Sequence, residues 1–119
     1  MISWYIVSLA AAVLRHLDPL QLNDYLAHID TEPLLLDVRE PWEFAIAHIE
    51  GSQLVPMREL LSQVHQLDPV RETVVICHHG VRSFQVAHYL ERSGFTKVIN
   101  LSGGIHAWAR LVDPSIAQY

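Results

Sequence analysis

The chain has a single cysteine among its 119 residues, so no disulfide can form within it and nothing in it calls for an oxidising compartment. Basic residues are also scarce: eight Lys and Arg stand against 13 Asp and Glu, a formal charge of −5, and no Lys/Arg run occurs. That balance argues against nucleic acid as a partner. Low-complexity stretches and internal repeats are absent, and the length suits one domain with a real core. No apolar run reaches the about 20 residues that a membrane-spanning helix needs. The longest, Ile2 to Leu14, lacks the Lys or Arg that opens a secretory signal, although Ala10-Ala11-Ala12 supplies a small-residue cleavage pattern. We read residues 1–15 as an apolar helical segment that packs on the domain, or on a second copy to give a homodimer, because an apolar surface has to be covered. Attachment to a membrane surface or export is the alternative.

Residues 16–112 alternate short apolar runs with helical patterns, the signature of an α/β domain with a parallel sheet, and a tail at 113–119 ends the chain. His16-Leu17 reads as a short edge strand and Pro19 opens a helix carrying Leu20, Leu22, Tyr25, Leu26 and Ile29. Leu34 to Leu36 forms a buried strand ending at Asp37, and Pro41 starts a short helix through Phe44. Gln53 to Val55 is the third strand, and Met57 to Leu67 has apolar residues at helical spacing. Thr73 to Ile76 is the fourth strand, Val81 to Arg92 the next helix, Lys97 to Ile99 the last strand, and Gly103-Gly104 introduces a final helix with Ile105, Ala107, Trp108 and Leu111. In open α/β sheets binding sites lie beyond the carboxyl ends of the strands, where Asp37 and Cys77 both fall.

Cys77 follows the β-branched run Thr73-Val74-Val75-Ile76 and precedes His78-His79-Gly80-Val81-Arg82-Ser83, where the helical pattern begins. At such a turn, free loop amides and the positive end of a helix dipole converge on the sulfur and favour its thiolate, the nucleophilic form. A lone cysteine can instead be a small buried hydrophobe. The polar, Gly-containing and basic loop behind it favours the nucleophile. A reactive thiol is easiest to keep in a reducing compartment, so a cytoplasmic location is expected.

Four motifs in register resemble the rhodanese-like sulfurtransferases, from about Leu17 to Trp108. Asp37-Val38-Arg39-Glu40 with Glu43-Phe44 is similar to the family's first signature, and Ala47-His48-Ile49-Glu50-Gly51-Ser52 with Val55-Pro56 to its second. Cys77 to Ser83 resembles the active-site loop, and Gly103-Gly104-Ile105-His106-Ala107-Trp108 the glycine-glycine…tryptophan motif. Ala47 stands where the family usually has Gly, and Ser52 where it has Ala. The resemblance implies a three-layer domain with a five-stranded parallel sheet flanked by helices. It implies no cofactor.

It further implies a persulfide mechanism. The Cys77 thiolate takes the outer sulfur of thiosulfate or a similar sulfane donor, releases sulfite, and passes the sulfur to a thiol or to cyanide. The loop amides of His78, His79, Gly80, Val81, Arg82 and Ser83 would stabilise thiolate and persulfide. Arg82 suits the oxyanion end of the donor, or else a salt bridge that holds the loop. Asp37 and Arg39 belong by resemblance beneath the loop as supports, with a surface pair between Arg39 and Glu43 as the alternative. His78 and His79 read as loop-lining. General acid-base work is the alternative, with His79 tuning donor preference by its protonation. Adjacent histidines lack the i, i+4 spacing that puts two rings on one helix face, so no metal site is assigned.

Two rival readings remain. Rhodanese-like folds resemble the cell-cycle dual-specificity phosphatases and some arsenate reductases, but those phosphatases have five residues between cysteine and arginine, and Cys77 and Arg82 are separated by four. The smaller loop fits a sulfur atom. The other reading is a persulfide carrier or partner-binding module without fast turnover. With no resolving thiol in the chain, sulfur on Cys77 must leave for an external acceptor.

Overall fold

The computed structural model describes residues 13–119. Most of the segment read as an apolar helix over residues 1–15, and the homodimer through it, therefore lies outside the described residues. Where the two overlap, at Val13 to Arg15, the reading is corrected: these residues belong to strand β1 (Val13–Leu17). The reason is the partner. The five-residue strand β5 (Lys97–Leu101) offers a matching edge, and the two pair in parallel from Val13 with Lys97 to Leu17 with Leu101.

The other strands are β2 (Leu34–Asp37), β3 (Gln53–Leu54) and β4 (Thr73–Ile76). All five form one sheet in the order β1-β5-β4-β2-β3, and every pairing is parallel. The expected α/β class and five-stranded parallel sheet are thus present. The helices are α1 (Pro19–His28), α2 (Pro41–Ile46), α3 (Leu60–Gln63), α4 (Val81–Arg92) and α5 (Gly104–Leu111). At the start of α1, Asp18 and Gln21 cap one another: the Gln21 N–H donates to Asp18 Oδ1 (2.8 Å) and the Asp18 N–H to Gln21 Oε1 (2.9 Å). Among the described residues no helix is long and apolar enough to cross a membrane.

Both sheet faces are covered, as an all-parallel sheet requires. One core holds Leu34, Leu36, Val75, Cys77, Val98 and, from α4, Val86, Ala87 and Leu90. The other holds Val74, Ile76, Ile99 and Leu101 with Leu22 of α1 and Ile105 and Trp108 of α5. Strand alternation accounts for this sorting. It also puts Asn100, which follows the period of Val98, on the α4 side with Cys77.

One expectation about the helices is corrected. Met57 to Leu67 is not one helix: 3₁₀ turns at Met57–Glu59 and Val64–Gln66 flank the single α turn of α3. Ser62 Oγ donates to the Glu59 carbonyl (2.9 Å), a back-bond that competes with regular helix, and only Leu60 of this stretch is deeply buried while Leu61 is exposed. In α4, Val81 and Phe84 fit the apolar period but lie exposed at its first turn, and Ser83 takes the buried place there. The tail at 113–119 packs back on the domain, with Ile116 and Tyr119 against the second core.

Candidate active site

Cys77 stands just past the end of β4, 1% exposed. The chain then turns through His78 and His79 to Gly80, which adopts φ +100°, a conformation that L side chains rarely reach. That turn points the Gly80 N–H back at the thiol, where it donates to Sγ at 3.0 Å. Of the loop amides expected around the sulfur, this is the one hydrogen-bonded to it. Ser83, one turn into α4, lies on the sulfur's other side. Cys77 Sγ donates to Ser83 Oγ (3.3 Å), Ser83 Oγ to Asn100 Oδ1 (2.6 Å), and Asn100 Nδ2 meets His16 Nδ1 at 3.2 Å. A polar chain therefore runs from the sulfur across β5 to β1, with Ser83 and Asn100 buried.

The loop is held from below by α5. Its first amides donate to loop carbonyls, Ile105 N–H to Cys77 O (2.8 Å) and His106 N–H to His78 O (3.0 Å). Gly104 makes this approach feasible: a Cβ there would come within 2.3 Å of the His78 carbonyl oxygen and 2.6 Å of that of Cys77. The Gly103-Gly104 pair is thus a close-packing device, and Trp108 is a core residue beneath it.

Beside the loop lies a buried charge network. Arg39, fully buried, donates through Nε to Asp37 Oδ1 (2.9 Å), through Nη2 to Asp37 Oδ2 (2.6 Å) and the Ala47 carbonyl (2.7 Å), and through Nη1 to the Tyr119 hydroxyl (2.6 Å). Burial works against its charge, but the bonds to Asp37 and Tyr119 outweigh it and raise its pKa. The surface pair of Arg39 with Glu43 is therefore corrected: the fork is spent on Asp37, and Arg39 meets only the Glu43 backbone carbonyl, at 3.4 Å. The Glu43 carboxylate instead accepts from both ends of Arg82, Nη1 to Oε1 at 2.6 Å and Nη2 to Oε2 at 2.9 Å. It also accepts from the Glu40 N–H (3.1 Å) and the Tyr119 hydroxyl (2.9 Å). The Arg82 bonds, set against burial, hold its carboxyl down at about 2.

Of the two readings of Arg82, the geometry forms the salt bridge that fastens the loop's end to α2. The guanidinium remains about one-third exposed. Tyr119, from the tail, joins the two charge pairs through its hydroxyl, and burial pushes its own pKa up to about 12. Its ring lies flat on His78, centroids 3.9 Å apart and planes 4° from parallel. His78 is held below the ordinary imidazole range by burial and by the neighbouring His79 and His106. His79 is exposed on the rim.

The structure brings Cys77 to Ser83, Asp37 and Arg39 together at one end of the sheet. Sequence reasoning missed Asn100, His16, His106 and Tyr119. A polar residue at an inward position of β5 was the available signal for Asn100. For Tyr119, 76 residues from Glu43, there was none.

Comparison with known proteins identifies related sequences and folds. The family model for the rhodanese-like domain matches residues 21–111. A sulfurtransferase of Allochromatium vinosum is 37% identical over 106 residues, covering 88% of this chain and 97% of the relative. The thiosulfate sulfurtransferase GlpE of Pseudomonas fluorescens is 35% identical, covering 71% and 78%. A chloroplastic rhodanese-like/PpiC domain-containing protein 12 of Arabidopsis thaliana is 42% identical over 92 residues, but this chain spans only 31% of its length. Among solved structures, a rhodanese-like domain protein from Staphylococcus aureus superposes with a TM-score of 0.75 at 26% identity, covering 88% of this chain and 98% of that one. The motifs, the parallel sheet, the cysteine loop and these matches together place the chain in the rhodanese-like domain family, with sulfurtransferases among the relatives it matches along most of their length.

Proposed function

We propose that this chain moves a sulfane sulfur from thiosulfate, or a donor of the same class, to a thiophilic acceptor through a persulfide on Cys77. The observation that carries this reading is the cradle of the sulfur, with the Gly80 amide on one side and the Ser83 hydroxyl on the other. In the first step the Cys77 thiolate attacks the outer sulfur of thiosulfate, the S–S bond of the donor breaks, and sulfite leaves with its electron pair. Cyanide or a cellular thiolate then attacks the outer persulfide sulfur and restores the Cys77 thiolate. Charge and atoms balance in both steps, and covalent catalysis of this type gives ping-pong kinetics.

The polar chain behind the sulfur supports this cycle. With the thiol protonated, donors run from Sγ through Ser83 to Asn100. With the thiolate, Ser83 turns its proton to the sulfur and needs a donor in its place. Rotation of the Asn100 amide supplies one through Nδ2, leaving Oδ1 to accept from His16 when its Nδ1 carries the proton. Arg82 acts here as a positioning residue that fixes the loop, and its exposed edge adds positive potential for an anionic donor. Four residues between Cys77 and Arg82 fit sulfur in preference to a tetrahedral phosphate. We place the chemistry in a reducing compartment, where thiol acceptors are abundant.

Intact-mass measurement after incubation with thiosulfate and, separately, 3-mercaptopyruvate tests the proposal. The expected result is gain of one sulfur, removed by cyanide and absent from Cys77→Ala. No adduct from any sulfane donor overturns it, and a stable adduct that neither cyanide nor small thiols discharge assigns the chain to the carrier class instead.

A further inference from the structure

The adjacent pair His78-His79 gives no metal-binding spacing in sequence, but the fold adds a third imidazole. Gly104 lets the start of α5 press onto the cysteine loop, and the His106 N–H donates to the His78 carbonyl at 3.0 Å. The rings of His78 and His79 then lie 4.0 Å apart between centroids, those of His79 and His106 5.0 Å, and those of His78 and His106 5.9 Å. Each offers one ring nitrogen, and the three nitrogens all fall within 4.8 Å of one another.

A separate observation singles out the same residues. Among the described residues, the buried side-chain nitrogen and oxygen atoms without a hydrogen-bond partner are His78 Nε2 and His106 Nδ1. Buried polar atoms are nearly always paired, so two orphans in one trio of imidazoles mark a place where lone pairs await a partner. Tyr119, stacked parallel on His78, holds the plane of that ring, and His79 on the exposed rim is free to swing inward.

We propose that His78, His79 and His106 bind a divalent first-row transition-metal ion of the zinc class at the mouth of the cysteine loop. Three neutral imidazoles suit zinc, copper, nickel or cobalt in preference to the hard ions calcium and magnesium, which take oxygen. Tetrahedral zinc with bonds of about 2.0–2.1 Å sets its ligand nitrogens about 3.3 Å apart, so the trio must close by about 1.5 Å from its widest separation. Rotation about the side-chain bonds of His79 and His106 spans that distance. The fourth position faces solvent past His79. Cys77 is not one of the ligands: its sulfur is engaged by Gly80 and Ser83.

The test is a zinc titration of the tag-free full chain in competition with a chromophoric chelator, paired with cobalt(II) absorption spectra. The expected result is one ion per chain, bound at least about tenfold more weakly by His106→Ala and by His79→Gln, and undiminished in Cys77→Ser. His79→Gln lies on the exposed rim and guards against a variant that simply fails to fold. The cobalt spectrum should lack a sulfur charge-transfer band. Absence of saturable binding at one equivalent overturns the proposal. Equal affinity in wild type and both histidine variants, or loss of binding in Cys77→Ser, overturns it as well, because the ion would then sit on other histidines or on the thiolate.

Discussion

Arg82 grips both oxygens of Glu43, 39 residues away, at 2.6 and 2.9 Å. This bidentate pair ties the first turn of α4 to α2 and so fixes the C-terminal end of the loop that carries Cys77. A lysine cannot reproduce the fork. We therefore expect Arg82→Lys to keep the fold, at a cost of about 1–2 kcal/mol, and to lower kcat/KM for thiosulfate about tenfold by loosening the loop. Denaturant melts and steady-state kinetics measure the two effects. Unchanged kcat/KM in a folded Arg82→Lys protein would show that the pair does not set the loop.

The same pair makes acid stability depend on Glu43. Its carboxyl is held at about 2 in the folded protein, below the ordinary 4.5. A folded pKa below the unfolded one means that the stabilisation is complete above about pH 4.5 and is lost as pH falls toward 2. Glu43→Gln removes this contribution. Its stability, measured by urea melts between pH 7 and pH 3, should start lower than wild type and converge on it as the pH drops. Parallel curves for the two proteins would disprove the assignment.

Gly104 offers a steric prediction. A Cβ there would lie 2.3 Å from the His78 carbonyl oxygen, at a φ of +63°, and the atom it strikes is backbone of the active loop. Gly104→Ala should destabilise by about 2–4 kcal/mol, combining overpacking with an unfavourable φ. Gly51, at φ +85° with open space around it, is the control: Gly51→Ala carries only the conformational cost, about 1 kcal/mol. Thermal melts of the two variants separate the contributions, and equal losses would refute the close-packing role of Gly104.

The sheet was legible in sequence because Leu34 to Leu36, Thr73 to Ile76 and Lys97 to Ile99 are short apolar runs between clear stops, and Cys77 was legible because a strand ended at it. What could not be read was pairing across the chain. Glu43 was visible as a motif residue, but the nearest cation in sequence, Arg39, suggested the wrong partner; the two-residue side-chain period of extended chain brings Arg39 back onto Asp37 and leaves Glu43 for Arg82. His106 sat inside a recognised motif without signalling chemistry, since only the tight packing of Gly104 brings it to the loop. Helical periodicity over Met57 to Leu67 misled because local side-chain bonding at Ser62 competes with it.

The chain of bonds from Cys77 through Ser83 and Asn100 to His16 predicts that Asn100 affects chemistry without touching substrate. Asn100→Asp is nearly isosteric but has no N–H to offer, so Ser83 cannot be supplied with a donor once it turns to the thiolate. We expect persulfide formation from thiosulfate to slow about 10- to 100-fold, equivalent to about 1.4–2.7 kcal/mol in the barrier. The loss should appear in kcat/KM for donor. Rapid-quench mass measurement follows the step directly, and a wild-type rate in Asn100→Asp would refute the relay.

Tyr119 separates hydrogen bonding from stacking. Its hydroxyl accepts from Arg39 Nη1 (2.6 Å) and donates to Glu43 (2.9 Å), and its ring covers His78 at 3.9 Å. Tyr119→Phe leaves one arm of a buried guanidinium without that acceptor but keeps the ring, so it should cost about 1–3 kcal/mol and leave the loop covered. Tyr119→Ala loses both, and the His78 side chain of the loop then has no ring stacked on it. Cys77, 1% exposed, should then react faster with iodoacetamide in Tyr119→Ala than in either wild type or Tyr119→Phe. Alkylation rates under native conditions, with unfolding checked by circular dichroism, decide the matter. If Phe and Ala variants lose stability alike and both keep the wild-type alkylation rate, the ring does not shield the thiol and the contribution of Tyr119 rests in its hydroxyl alone.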